Sequence, residues 1–159
     1  MKKLRAISIT LFCIITCITL TSCSIGKRKD SITPDTFYSK MQNKSFTIVD
    51  STEQFSSTDG VQNVYIAIAP NYTYQIEFYE LSDDSQAEES YEKNIQTFEK
   101  SKTNVSSNTE VKLANYAKYT LLSNGKYMVI SRINNTFIYV NADSDYKDDI
   151  DDILSNFGY

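Results

Sequence analysis

The 159-residue chain contains no histidine and no tryptophan, and only four glycines and two prolines. Without histidine it lacks the commonest general base, the Ser-His-Asp and Cys-His arrangements, and every His-bearing zinc site. No Gly-rich loop is present to hold a phosphate. Scarce Gly and Pro also argue against a flexible stalk and for a compact fold. A long apolar run is missing too: the uncharged stretch from Ala6 to Leu20 covers about 15 residues, whereas a bilayer-spanning helix needs roughly 20. Carboxylates, lysine and tyrosine are what remain for chemistry.

The short apolar run follows a basic start, Met1-Lys2-Lys3-Leu4-Arg5, which is the layout of a secretory signal. It ends in Leu20-Thr21-Ser22-Cys23, which resembles the lipobox of bacterial lipoproteins, an aliphatic residue and two small ones ahead of a cysteine. The resemblance implies a signal peptide over residues 1–22, cleavage before Cys23, and a diacylglycerol with palmitate-type chains on the Cys23 thiol. Small residues suit that processing, because the peptidase must reach an extended backbone beside the lipid. Cysteine usage fits the same picture. Cys13 and Cys17 fall in the removed part and Cys23 is consumed, so the mature chain has no disulfide and must be stable on its core alone. The expected location is the extracytoplasmic face of the cell membrane, with the membrane itself a partner through the lipid on Cys23. In composition and pattern the chain also resembles small α+β lipoproteins of low-GC Gram-positive bacteria, a likeness that implies no activity.

The whole chain carries a net charge of −4. Removing Lys2, Lys3 and Arg5 leaves 13 basic against 20 acidic residues. Three of those bases, Lys27, Arg28 and Lys29, directly follow the lipid site, where each adds up to about 1 kcal/mol of attraction to an anionic lipid surface or simply solvates a tether. Beyond Lys29 only 10 basic residues face the 20 acids. Nucleic acid is therefore not an expected partner.

Residues 23–32 read as a lipidated tether and 33–159 as one α+β domain, long enough to bury about two thirds of its unfolded surface. Thr33-Pro34-Asp35 reads as a helix start, predicting a helix from Pro34 to about Lys44. A strand follows over Phe46 to Val49, then a polar loop from Asp50 to Asn63. Alternation over Val64 to Ala69 and Tyr72 to Tyr79 around Pro70-Asn71 predicts a hairpin. Ser82 to Ser101 is a helix with Ala87, Tyr91, Ile95 and Phe98 on one stripe. After a polar loop, Lys102 to Thr109, strands are expected over Glu110 to Leu113 and Tyr116 to Leu122. Asn124-Gly125 is a type I′ turn signal, and Lys126 to Ile133 with Thr136 to Asn141 makes a further hairpin. The last helix runs from about Asp145 to Phe157, ended by Gly158. The expected order is α-β-β-β-α-β-β-β-α with one possible extra short strand: an antiparallel sheet of about six strands with helices mainly on one face. A 63-residue offset aligning Asn71-Tyr72-Thr73-Tyr74 with Asn134-Asn135-Thr136-Phe137 suggests either an internal duplication or two chance hairpin-helix units.

Glu77 and Glu80 offer a carboxylate pair of the kind used in glycoside hydrolysis, although Glu77 is expected on the solvent side of its strand. Asn141, Asp143, Asp145, Asp149 and Asp152 fall at positions 1, 3, 5, 9 and 12 of an EF-hand-like count, but Tyr146 stands where the sharp turn needs Gly. Capping by Asp143 or Ser144, with Asp145 and Asp148 at the positive helix end, is the reading preferred. Tyr65, Tyr79, Tyr116, Tyr119, Tyr127 and Tyr139 all fall in expected strands, where tyrosine is at home; an uncovered sheet face carrying them is the best candidate surface for peptide or sugar. No cofactor, metal or catalytic residue is expected. The leading functional expectation is a non-enzymatic binding or protein-interaction module at the cell envelope, taking an envelope protein or small ligand. Alternatives are a carboxylate-dependent hydrolase and a purely structural envelope component. Replacing the lipidation residue, Cys23→Ser, is expected to leave an uncleaved precursor without lipid, which mass spectrometry of the N-terminal peptide checks.

Overall fold

The computed structural model describes residues 27–159, so Cys23 and the leader lie outside the described part. Helix α1 spans Pro34–Asn43 and begins as its sequence demands. Thr33 Oγ1 accepts from the Thr36 N–H at 3.2 Å, Pro34 opens the helix, and Phe37 and Met41, one turn apart, are its buried residues. Strand β1, Thr47–Asp50, follows, and a 3-10 turn at Thr52–Phe55 interrupts the expected loop. Strands β2, Val61–Ile68, and β3, Gln75–Leu81, form the first hairpin. Helix α2, Asp84–Lys100, is capped by Asp83, whose Oδ1 accepts from the Gln86 N–H at 2.9 Å. Strands β4, Ser106–Leu113, β5, Tyr116–Ser123, β6, Lys126–Ile133, and β7, Thr136–Asp143, then run as a meander, and helix α3, Lys147–Phe157, ends the chain.

The seven strands form one antiparallel sheet in the order β1-β2-β3-β7-β6-β5-β4. After β3, α2 carries the chain to the far edge, and the meander returns to lay β7 beside β3. Asn124 and Gly125 take φ of 51° and 71°, the doubly left-handed pair that a type I′ turn requires. Gly158, at φ 86°, stops α3 as expected.

Three expectations need correction. The sheet has seven strands, where about six with one possible extra were expected, and β4, expected only over Glu110 to Leu113, begins at Ser106 inside the stretch expected to be a polar loop. All eight β4 residues are exposed, so no alternation marks the strand; full pairing with β5, from Ser106 opposite Ser123 to Leu113 opposite Tyr116, defines it instead. Strand β3 starts at Gln75 rather than Tyr72, since Tyr72 takes φ 56° at the hairpin tip and is 80% exposed. Two of the three described helices lie on one face, as expected, but α2, the longest, covers the other.

That last point follows from two separate cores. Phe37 and Met41 of α1 and Ile150, Leu154 and Phe157 of α3 pack with Phe78, Val129, Ile138 and Val140 on one side. Ala87, Tyr91 and Phe98 of α2 pack with Tyr119, Leu121, Ile130 and Phe137 on the other. The architecture is therefore three-layered, with the sheet in the middle. Strand β6 shows why: every residue from Tyr127 to Ile133 is buried, so its pattern is continuous rather than alternating. Likeness between the halves stops at the hairpins, since Ile76 and Tyr139, equivalent under the 63-residue offset, face opposite cores.

Phe78 fastens the first core. Its ring stacks on Phe37 with centroids 5.1 Å apart, and Phe37 in turn lies 5.6 Å from Phe157, so one sheet residue joins both helices of that layer. Phe78→Ala is expected to cost about 3–5 kcal/mol. Thermal or urea melts check it, with the exposed Tyr72→Ala as a near-neutral comparison.

Candidate functional site

Helix α2 lies along β6 with β3 and β7 beneath its flank, while the 3-10 turn Thr52–Phe55 sits on β2. Between these two covers the α2 face of β3 and β7 stays open as a cleft of about 260 Å³. Phe55 forms one wall, Ser90, Lys93 and Asn94 of α2 the other, and Glu77, Tyr79, Phe137 and Tyr139 the floor. The rings are ordered by one another. Tyr79 stacks on Phe137 with centroids 4.5 Å apart and planes at 13°, and Phe55 meets Tyr79 edge-on at 5.7 Å.

Glu77 is the single carboxylate in this cleft. Its Oε2 accepts from the Tyr79 hydroxyl at 2.6 Å and its Oε1 from Gln75 Nε2 at 2.7 Å. Burial, and then the bond to Glu77, push the Tyr79 phenol far above its ordinary range, so it stays a donor. Glu77, expected on the solvent side of its strand, is half-buried in an open cleft, with aromatic rings beside it. Glu80 lies on the opposite sheet face, accepting from Asn63 Nδ2 at 2.6 Å, so the two acids do not converge.

The six strand tyrosines divide between the faces: Tyr79, Tyr119 and Tyr139 pack toward α2, and Tyr65, Tyr116 and Tyr127 toward α1 and α3. Among the described residues the strand tyrosines share no single open face, because both sides of the central strands carry helices; Tyr79 and Tyr139 alone of these six line the opening under α2. What sequence reasoning missed is Phe55, which it left in a loop, and the closeness of Glu77 to the rings. Its signal was weak: two apolar residues in an otherwise polar stretch.

Among the described residues, no group of three or more acidic side chains is placed to hold a metal ion. Nor does Asp143 cap the last helix. It stands directly across the ladder from Lys126 and accepts from its Nζ at 2.6 Å, while a 3-10 turn, Ser144–Tyr146, intervenes before α3 and leaves no side-chain cap bond. Asp148 and Asp149 occupy the first turn of α3, where the helix dipole favours acids.

Of the three basic residues Lys27, Arg28 and Lys29, Lys29 is held on the domain. Its backbone N–H donates to Asn115 Oδ1 at 3.0 Å, its carbonyl accepts from Asn115 Nδ2 at 2.7 Å, and its Nζ donates to the Gly158 carbonyl at 2.7 Å. Ile32 packs against the first core. Lys27 and Arg28 stay exposed.

No protein family, curated protein or solved structure matches this chain.

Asp151, on the inner side of α3, accepts from Tyr127 at 2.6 Å and from Lys147 at 2.7 Å, with Lys118 at 3.8 Å. Burial opposes its ionisation, but those donors and Lys118 outweigh burial and hold the carboxyl below its usual range. A carboxylate with a lowered folded pKa stabilises above its unfolded pKa, and that stability is lost as pH falls through the folded value. Asp151→Asn is therefore expected to melt below the parent at neutral pH, by about 1 kcal/mol given the partial exposure of the pair. The gap should close in acid, and thermal melts across a pH series check both parts.

Proposed function

We propose that this chain is a lipoprotein held at the extracytoplasmic face of a membrane by lipid on Cys23, and that its folded part is a non-enzymatic binding module whose ligand site is the aromatic cleft beneath α2. The lipobox-like segment supports the anchoring. Four aromatic rings around one carboxylate, in the opening that the helices leave over β3 and β7, carry the binding reading.

The cleft's chemistry favours a small, largely apolar ligand bearing one cationic or hydrogen-donating group. Phe55, Tyr79, Phe137 and Tyr139 supply apolar area and negative ring faces. Glu77 supplies the acceptor and keeps lone pairs beyond those used by Tyr79 and Gln75. A hydrolase built on Glu77 and Glu80 gains no support, since one acid lies on each face of the sheet.

Benzylamine, which combines a ring with an ammonium group, is a suitable first probe. It is expected to shift the ring resonances of Tyr79 and Tyr139 saturably, with affinity falling about tenfold in Glu77→Gln and also falling in Phe55→Ala. Shifts that do not saturate, or that both variants leave unchanged, would remove the cleft from consideration.

A further inference from the structure

On the other flank of α2 a second cavity, of about 280 Å³, opens between the helix and the turn joining β4 to β5. At its base is Arg132 of β6, which is 9% exposed and whose Nε, buried, has no hydrogen-bond partner. Its Nη1 donates only a 3.3 Å bond to the Asn134 carbonyl. A guanidinium is permanently cationic and carries five donors in a fixed fork. Burying one without a carboxylate is strongly unfavourable, because neither its charge nor its donors are compensated. Nothing in the packing demands that cost: its neighbours across the ladder, Ala117 and Phe137, are apolar, and so is most of β6.

The rim of the cavity has the opposite character. Glu88 and Glu92 project from α2, and Glu92 is held by Lys112 at 2.8 Å while Glu88 faces the opening. A polyanion would be repelled by these acids, and a simple cation would be repelled by Arg132. A molecule with a carboxylate at one end and an ammonium close by meets both requirements. The tyrosine at the wall, Tyr91, is kept protonated by burial and by Glu110, so its hydroxyl is one more polar group there.

We propose that this cavity is a binding site for a free α-amino acid, whose carboxylate pairs with the Arg132 fork and whose ammonium faces Glu88. The site is distinct from the aromatic cleft and does not depend on it. Its occupant would satisfy Arg132, a buried cation whose Nε has no partner among the described residues.

The chain has only three arginines, Arg5, Arg28 and Arg132, of which Arg5 lies in the leader expected to be removed; the test is direct, since the Nε–H signals of arginine side chains form a short, resolvable set. The intact chain is titrated with each of the twenty common amino acids, with acetate and methylamine as single-charge controls. The expected result is a saturable shift of the Arg132 Nε–H with at least one amino acid, at an affinity about tenfold or more above that for either control. Arg132→Met replaces the buried cation by an apolar side chain; it is expected to fold with an unchanged or raised melting temperature and to lose the binding, and Glu88→Gln is expected to weaken it. If the Arg132 signal moves with no amino acid, moves equally with acetate, or if binding survives in Arg132→Met, the proposal is overturned. Should Arg132→Met fail to fold, the Arg132 signal in the unsubstituted chain still decides.

Discussion

Burial of β6 on both faces is the constraint around which the fold is arranged. A strand with apolar residues on both sides needs a cover on each, and here α1 and α3 provide one and α2 the other. With no disulfide available to the described residues, these two cores do the work that cross-links do in many small exported domains. The route of the chain follows from the same need. Helix α2 has to leave β3, cross the second face and reach the far edge before the meander can return, which is why β3 and β7 become neighbours although they are distant in sequence.

Local signals in the sequence proved legible wherever the chemistry is local. The Thr33 cap, the Asn124-Gly125 turn, the apolar stripe of α2 and the Gly158 stop depend on a few adjacent residues, and each took the form its sequence implies. What could not be read was whatever depended on partners far along the chain. Strand β4 was legible only over Glu110 to Leu113; it has no buried residue, and its extension back to Ser106 follows from the complete ladder that β5 offers. The second helical layer was hidden because continuous burial in β6 looks the same from sequence whether one helix or two lie above it. The capping role expected of Asp143 gave way to Lys126, which only the β6–β7 register brings opposite it.

The candidate site shows the same division. Glu77, Tyr79 and Tyr139 were visible as strand residues, but their convergence with Phe55 and Phe137 requires β3 to pair with β7 and the 3-10 turn to fold back over β2. Lacking histidine and tryptophan, the protein relies on tyrosine to combine apolar area with a polar tip. Tyr79, Tyr91, Tyr119 and Tyr127 each give their hydroxyl to a carboxylate, on Glu77, Glu110, Glu99 and Asp151 respectively. Such pairs let large rings enter the layers between helix and sheet without leaving an unsatisfied hydroxyl.

If the proposed lipid is on Cys23, the docking of Lys29 onto Asn115 and Gly158 would shorten the leash between it and the domain. Position 23 and Lys29 are six residue steps apart, a reach of about 20 Å at full extension. Under the proposed anchoring, the end of the sheet carrying the β4–β5 and β6–β7 turns is held toward the bilayer, while the Asn124-Gly125 turn and the Tyr72 tip point outward. Such a domain would not tumble freely above the lipid: it would stand with a preferred upright pose, offering one pole to the membrane and the other to whatever approaches from outside.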